Sequence, residues 1–168
     1  MITIERANEQ HIEGICKVCT DGYRETYKEM YPQYYIERVI GEFYSYDRVK
    51  GEIENISKEW NVWFVALEND EVVGAIGGGL TADTVGEVHV FYLDPNRRGE
   101  GIGTLLLKGL TDVQKELGIT EQGVSVSKGN NKGIPFYEAR GFVFQSERPS
   151  YANEEGEAYI SNRYHRTV

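Results

Sequence analysis

The feature that most constrains the fold of this chain is a glycine-rich loop between a strand pattern and a helix pattern. Residues 87–93 form an unbroken run of β-branched, aromatic and apolar residues, which predicts a strand. Pro95 ends this strand, because proline has no N–H for a strand ladder. From Gly101 to Leu117 apolar residues recur at three- and four-residue steps, which predicts a helix. The segment between strand and helix, residues 98–103, reads RGEGIG.

A loop of this kind is suited to bind an anion. Glycines let a backbone turn tightly and approach a ligand closely, and the first turn of a helix offers free N–H groups with a partial positive charge. The sequence therefore predicts a phosphate or pyrophosphate ligand. A P-loop would need lysine after the last glycine, but Thr104 follows Gly103. A G-x-G-x-x-G dinucleotide fingerprint starts at neither Gly99 nor Gly101.

The pattern that fits is R-x-x-G-x-G, formed by Arg98, Gly101 and Gly103. Here the sequence resembles the GNAT acetyltransferase superfamily, whose acetyl-CoA pyrophosphate loop has this pattern between a strand and a helix. A second segment, GNNKGIPFYEARGF at residues 129–142, is similar to the family's N-x-x-A-x-x-F-Y-E-x-x-G-F. It departs from that pattern at Gly133, where alanine is usual. The resemblance is specific over about residues 86–142.

The resemblance implies an α/β (α+β) fold with a mixed, mostly antiparallel central sheet flanked by helices. One parallel strand pair at its centre would hold acetyl-CoA, and residues 1–168 would form a single acetyltransferase domain. The rest of the chain is compatible with this order of elements. The patterns predict strands at 2–6, 61–67, 72–80 and 121–127, a final hairpin of 142–147 and 157–163, and helices at 9–27, at 47–60 and from about 133.

The resemblance also implies acetyl-CoA as cosubstrate, with no metal. The glycine loop would hold the pyrophosphate, and the edge of the central strand would pair with the pantetheine arm. A backbone N–H at Leu93 could face the thioester oxygen, as in an oxyanion site. The residues that match the cofactor positions are Phe91, Tyr92, Leu93, Arg98, Gly99, Gly101, Gly103, Thr104 and Asn130.

Acetyl transfer to an amine needs a base that accepts the proton of the amine and an acid near the departing thiolate. The resemblance assigns Tyr137 as the acid that protonates the thiolate. Glu87 and His89 are the base candidates, and as alternate strand residues they are expected to share a face with Phe91 and Leu93. Glu87 matches the family's frequent acidic residue on this strand, whereas the ordinary pKa of histidine suits the task better. Either could instead be a structural residue that bonds a neighbouring element.

The acceptor is expected to be a primary amine of a small molecule or peptide. In the family, its site is usually walled by the segment after the first helix, and residues 23–46 hold seven of the 12 tyrosines. These tyrosines could line the amine pocket, pack the segment onto the sheet, or form a homodimer surface. Three glutamates in the last hairpin, Glu154, Glu155 and Glu157, could attract a cationic amine or be solvated.

Composition limits the class of protein to which this chain can belong. A net charge of −9 disfavours a general nucleic-acid binder. No apolar run approaches ~20 residues and no signal peptide is visible, so we expect a cytoplasmic protein without a membrane partner. Cys16 and Cys19 form C-x-x-C within a helical pattern, with no second ligand pair for zinc. Reduced packing residues are the expectation for both.

Three functions fit the sequence: an N-acetyltransferase working by direct transfer, a non-catalytic acyl-CoA binding or sensing domain, and an unrelated anion-binding regulatory domain. The first is favoured, because Tyr137 and Glu87 accompany the loop.

Overall fold

The structure, a computed structural model, describes all residues 1–168. Its seven strands form one sheet in the order β1-β2-β3-β4-β5-β7-β6. All neighbours are antiparallel except β4 and β5, which are parallel. The predicted mixed sheet with one parallel pair is therefore confirmed. The strands are β1 Thr3–Arg6, β2 Val62–Glu68, β3 Glu71–Ala82, β4 Val85–Leu93, β5 Glu121–Ser127, β6 Val143–Pro149 and β7 Ile160–Thr167.

Helices cover both faces of the sheet. They are α1 Ile12–Tyr27, α2 Gln33–Phe43, α3 Tyr46–Glu54, α4 Ile102–Glu116 and α5 Gly133–Glu138. Side chains from α1, α2 and α3 form one core with Trp63 and Val65 of β2, and side chains from α4 and α5 form a second core with Val62 and Ala66. We call the two sides of the sheet the α1 face and the α4 face. None of the helices is long and apolar enough to cross a bilayer.

Two predicted elements have wrong boundaries, and in each a loop folds back onto the protein. The helix predicted over 47–60 ends at Glu54, because Trp60 leaves the helix direction to stack on Trp63, with 5.1 Å between ring centroids. The final strand spans Ile160–Thr167 rather than 157–163. Its start is later because Arg38 of α2 binds Glu157 and holds the preceding loop.

A β-bulge reverses part of the alternation expected for β4. Gly77 of β3 pairs with Val90 and Gly78 pairs with Val88, so His89 is an extra residue on β4. After the bulge, Val90 and Tyr92 pack on the α1 face, whereas Phe91 and Leu93 pack on the α4 face. The prediction that Phe91 and Leu93 share a face with Glu87 and His89 is therefore wrong.

The glycine run of β3 makes room for the chain's own loop. A side chain at Gly77 would lie 2.3 Å from the Trp60 ring, and one at Gly79 would lie 1.7 Å from the carbonyl oxygen of Glu59. The register against β4 shifts between Gly77 and Gly78, so the run also coincides with the bulge. Residues 59 and 60 fill the space above it.

Candidate active site

The candidate site is a cleft between β4 and β5, at the point where their pairing ends. The last parallel pair is Val88 with Val124. Beyond it β4 stays paired with β3 and β5 with β7, so a gap opens between the two strands. The bulge at His89 bends β4 at this point. The resulting cleft has a volume of about 970 Å³, including its open mouth.

The glycine loop and the first turn of α4 form one end of the cleft. Gly99 and Gly101 have φ angles of +82° and +80°, which favour glycine over residues with a Cβ. Gly101 precedes α4 and no side chain caps the helix, so the N–H groups of its first turn have no intrahelical acceptor. Arg98 and Gly103 line the cleft at this end.

Thr104 has a structural partner in addition to its place in this first turn. Its hydroxyl accepts a hydrogen bond of 2.6 Å from Arg140, whose other terminal nitrogen donates to the carbonyl of Phe136. The guanidinium of Arg140 also lies 3.6 Å above the centroid of the Phe136 ring. Arg140 therefore ties the first turn of α4 to α5.

The cationic side chains near the cleft differ in whether a carboxylate of the chain already pairs with them. Arg97 forms ion pairs with Glu68 and Glu100, and a third pair joins Lys128 to Glu147. In contrast, Arg98 and Lys132 line the cleft and form no ion pair. These two residues are the positive charges that an anionic ligand would meet first.

The edge of β4 presents unpaired backbone groups to the cleft. Asp94 donates its N–H to Val73 of β3 at 2.9 Å. Because hydrogen-bonding direction alternates along a strand, the N–H groups of Leu93 and Phe91 point to the opposite edge, where the cleft lies. Tyr92 differs, since its ring packs against Tyr23 and Tyr44 on the α1 face.

Tyr137 of α5 forms the wall of the cleft on the α4 face. It is only 8% exposed, and its ring packs edge-on against Phe91, Phe136 and Phe142. Burial raises the pKa of Tyr137 above its ordinary value. The side chain is therefore a neutral phenol, able to donate a hydrogen bond into the cleft at any physiological pH.

Asn130 lies just before the helix that carries Tyr137 and binds the backbone at its start. Its Oδ1 accepts hydrogen bonds from the backbone N–H groups of Gly133 at 2.9 Å and Lys132 at 3.3 Å. A Cβ at Gly133 would lie 2.7 Å from the Asn130 amide nitrogen, which explains glycine where the family pattern has alanine. Asn130 lines the cleft and keeps its amide N–H groups for a ligand.

Glu87 and His89 both lie on the α1 face, but they are not equally available. The Glu87 side chain is buried, and its two oxygens accept hydrogen bonds of 2.5 and 2.8 Å from Arg163, whose pKa this pairing raises. His89 lines the cleft, stacks on Trp60, and places Nε2 2.7 Å from the carbonyl oxygen of Glu59. Because a carbonyl only accepts, Nε2 carries a proton, so Nδ1 holds the free lone pair of the neutral ring.

Most of the tyrosine-rich segment packs onto the sheet. Tyr23, Tyr35 and Tyr44 belong to the core of the α1 face, with centroids of neighbouring rings 4.5–5.8 Å apart. Of the seven tyrosines only Tyr27 lines the cleft. The helix α2 that contains Tyr34 and Tyr35 begins after Pro32.

The acidic loop of the last hairpin is largely neutralised by the chain itself. Arg38 donates two hydrogen bonds to the Glu157 carboxylate, at 2.7 and 2.9 Å, and lies 3.2 Å from Glu154. Glu155 stays exposed. Attraction of a cationic acceptor by Glu154 and Glu157 therefore has no support in the geometry.

Several lining residues were not identified from the sequence. They are Val124, Ser125 and Val126 of β5 and Gly22, Glu25 and Thr26 of α1. No local motif marks these positions, because they become part of the cleft only through the separation of β4 from β5.

Comparisons with known proteins show the family of the chain. Residues 20–142 match the model of the acetyltransferase (GNAT) family. A spermidine N(1)-acetyltransferase of Thermoplasma acidophilum is 28% identical over 142 residues, covering 84% of this chain and 88% of the relative. An N-alpha-acetyltransferase 30 of Schizosaccharomyces pombe is 26% identical over 149 residues, covering 84% of each chain.

The fold also matches solved structures over its whole length. A PaiA N-acetyltransferase of Thermoplasma acidophilum, solved in complex with coenzyme A, superimposes with a TM-score of 0.82 at 24% identity, covering 100% of this chain and 99% of the other. With the family match over residues 20–142, these findings show that the chain belongs to the acetyltransferase (GNAT) family and is an acyltransferase.

Proposed function

We propose that this protein transfers the acetyl group of acetyl-CoA directly to a primary amine of a small molecule or peptide. The observation that carries the proposal is the convergence of three separate segments on one cleft. These are the uncapped first turn of α4, the unpaired edge of β4 at Phe91 and Leu93, and the buried phenol of Tyr137. The names of the relatives, a spermidine N(1)-acetyltransferase and an N-alpha-acetyltransferase, support an amine acceptor.

The cleft suits each part of the cosubstrate. The free N–H groups of α4, with Arg98 and Lys132, would bind the diphosphate. The N–H groups of Phe91 and Leu93 would pair with the amides of the pantetheine arm, as an added strand does. Asn130 would contribute its amide N–H groups. The similar fold solved with coenzyme A supports this placement.

In the reaction the amine nitrogen attacks the thioester carbonyl carbon, the C–S bond breaks, and the nitrogen loses a proton. The Leu93 N–H would donate to the carbonyl oxygen as negative charge grows there. Tyr137 would donate a hydrogen bond to the departing sulfur. Because its raised pKa lies above that of an ordinary thiol, the phenol stabilises the thiolate without first losing its own proton.

The amine must be neutral when it attacks. An ordinary alkyl amine has a pKa near ~10, so a proton has to leave at neutral pH. His89 is the base candidate that the geometry favours over Glu87, because it lines the cleft and keeps Nδ1 free. In contrast, both carboxylate oxygens of Glu87 accept hydrogen bonds from Arg163.

The test is release of the CoA thiol from acetyl-CoA with polyamines, amino acids, aminoglycosides and short peptides as acceptors. Tyr137→Phe should lower kcat by about tenfold or more while the Kd of acetyl-CoA stays within about twofold. Tyr164→Phe is the matched control, since Tyr164 is buried in the same core but does not line the cleft. Binding of acetyl-CoA with no turnover on any amine would instead support a non-catalytic acyl-CoA binding domain.

A further inference from the structure

A row of polar side chains crosses the α1 face of the sheet beside the cleft. It runs from Glu87 on β4, past Gly123 and Ser125 on β5, to Arg163 and His165 on β7. Glu87 pairs with Gly123, Gly123 with His165, and Ser125 with Arg163. Of these five residues only Ser125 lines the cleft, and it is exposed.

Arg163 is the centre of this row, and both of its terminal nitrogens are in use. Nη1 donates to Glu87 and, at 2.9 Å, to the hydroxyl oxygen of Ser125. Nη2 donates to the second oxygen of Glu87 and, at 3.3 Å, to Nε2 of His165. Since a guanidinium only donates, His165 accepts at Nε2 and carries its proton on Nδ1.

The ion pair of Glu87 and Arg163 lies directly above Gly123 and leaves no room for a side chain at that position. A Cβ at Gly123 would lie 2.6 Å from Nη2 of Arg163 and 2.9 Å from an oxygen of Glu87. The side chains of Glu87 and Arg163 are 8% and 13% exposed. An ion pair that is almost inaccessible to solvent thus provides the hydrogen bond to a serine that faces the cleft.

The two faces of the cleft offer different groups to a bound thioester. Val124 and Val126 pack on the α4 face with Tyr137, so Ser125 between them points to the α1 face. Tyr137, Phe91 and Phe136 close the α4 face. An amine must therefore approach the thioester from the side of Ser125.

We propose that Ser125 contacts the acceptor amine, and that Arg163 and Glu87 are positioning residues that fix its hydroxyl. One lone pair of Oγ receives the Arg163 hydrogen bond, and the other can accept an N–H of the amine. This contact turns the nitrogen lone pair toward the thioester carbonyl. Because Glu87 balances the charge of Arg163, the pair does not repel a cationic acceptor. The inference rests on the proposed function.

Steady-state kinetics with the acceptor found in the amine panel test this assignment. Ser125→Ala should raise the KM of the amine about five- to tenfold, the loss of one hydrogen bond to a charged or polar group. It should leave the KM of acetyl-CoA within about twofold, and Ser125→Thr should restore the amine KM. Ser127→Ala is the control, because Ser127 lies two residues further on β5, on the same face, and does not line the cleft.

The positioning role is tested by combining substitutions. Glu87→Gln should raise the amine KM in the wild-type background and have little further effect beside Ser125→Ala, since both act through one hydroxyl. An unchanged amine KM in Ser125→Ala would overturn the assignment. So would an equal loss of kcat by Glu87→Gln in both backgrounds, with loss of the acidic limb of the pH profile, because Glu87 would then be the base. Wild-type protein that transfers acetyl to no amine would refute the proposed function itself.

Discussion

The buried ion pair of Glu87 and Arg163 predicts a large and strongly non-additive effect on stability. With side chains only 8% and 13% exposed, either charge would remain desolvated if its partner were removed. Breaking such a pair costs about 3–5 kcal/mol. Because Arg163 keeps its hydrogen bonds to Ser125 and His165, we expect Glu87→Gln to cost somewhat less than this range, about 2–3 kcal/mol. At about 2–4 °C per kcal/mol, Tm would fall by roughly 4–12 °C.

A double-mutant cycle isolates the pair. Glu87→Gln with Arg163→Gln leaves two neutral side chains, so the double variant should recover at least about 1.5 kcal/mol relative to the sum of the single ones. The control is Lys17 with Asp21, whose contact of 2.6 Å is equally short but whose side chains are 76% and 39% exposed. Its coupling should be at most about 0.5 kcal/mol. Urea unfolding at pH 7 measures both cycles. Additive single effects at Glu87 and Arg163, or coupling no larger than in the control, would refute this reasoning.

Three further predictions concern the glycine loop, the cationic residues of the cleft and a half-buried thiol. Gly101→Ala should cost about 1 kcal/mol of stability and weaken acetyl-CoA binding, because the φ of Gly101 is +80° although its surroundings are open. The control Gly41→Ala in α2, where the surroundings are equally open, should not destabilise the protein. Thermal unfolding measures the stability and calorimetry measures the binding. Lys132→Gln should raise the Kd of acetyl-CoA about threefold or more at low salt and less at high salt, whereas Lys128→Gln, at a residue already paired with Glu147, should change it little. Burial raises the pKa of the Cys16 thiol from 9.0 to about 11. The contribution of the neutral thiol to the free energy of unfolding is therefore intact below pH 9 and lost as the pH rises to 11. Thiol labelling of the folded protein should accelerate over that same range, and fast labelling at about pH 8 would contradict this prediction.

The glycine loop could be predicted from the sequence because its conformation depends on residues close together in the chain. Gly99 and Gly101 adopt the left-handed backbone that their residue type permits, and α4 begins at Ile102 as its apolar period indicates. The second motif likewise places Tyr137 and Asn130 in the cleft. In these segments local propensity and the tertiary fold agree.

The sequence pattern could not predict features that depend on pairing between distant segments. The bulge at His89 follows from the register of β4 against Gly77 and Gly78 of β3, and it moves the side chains of later residues to the other face. Arg163 meets Glu87 from 76 positions away, on the last strand of the chain. An isolated arginine in a strand carries no signal of such a partner.

We expect acetyl-CoA to bind between β4 and β5 with its diphosphate on the first turn of α4. The most direct measurement is an amide ¹H–¹⁵N spectrum recorded during titration with acetyl-CoA. The largest shifts should occur at Phe91, Leu93 and the amides of residues 101–103, whereas Ile4 on the far strand β1 should not change. Saturable binding that leaves the β4 edge and the glycine loop unshifted would contradict the account.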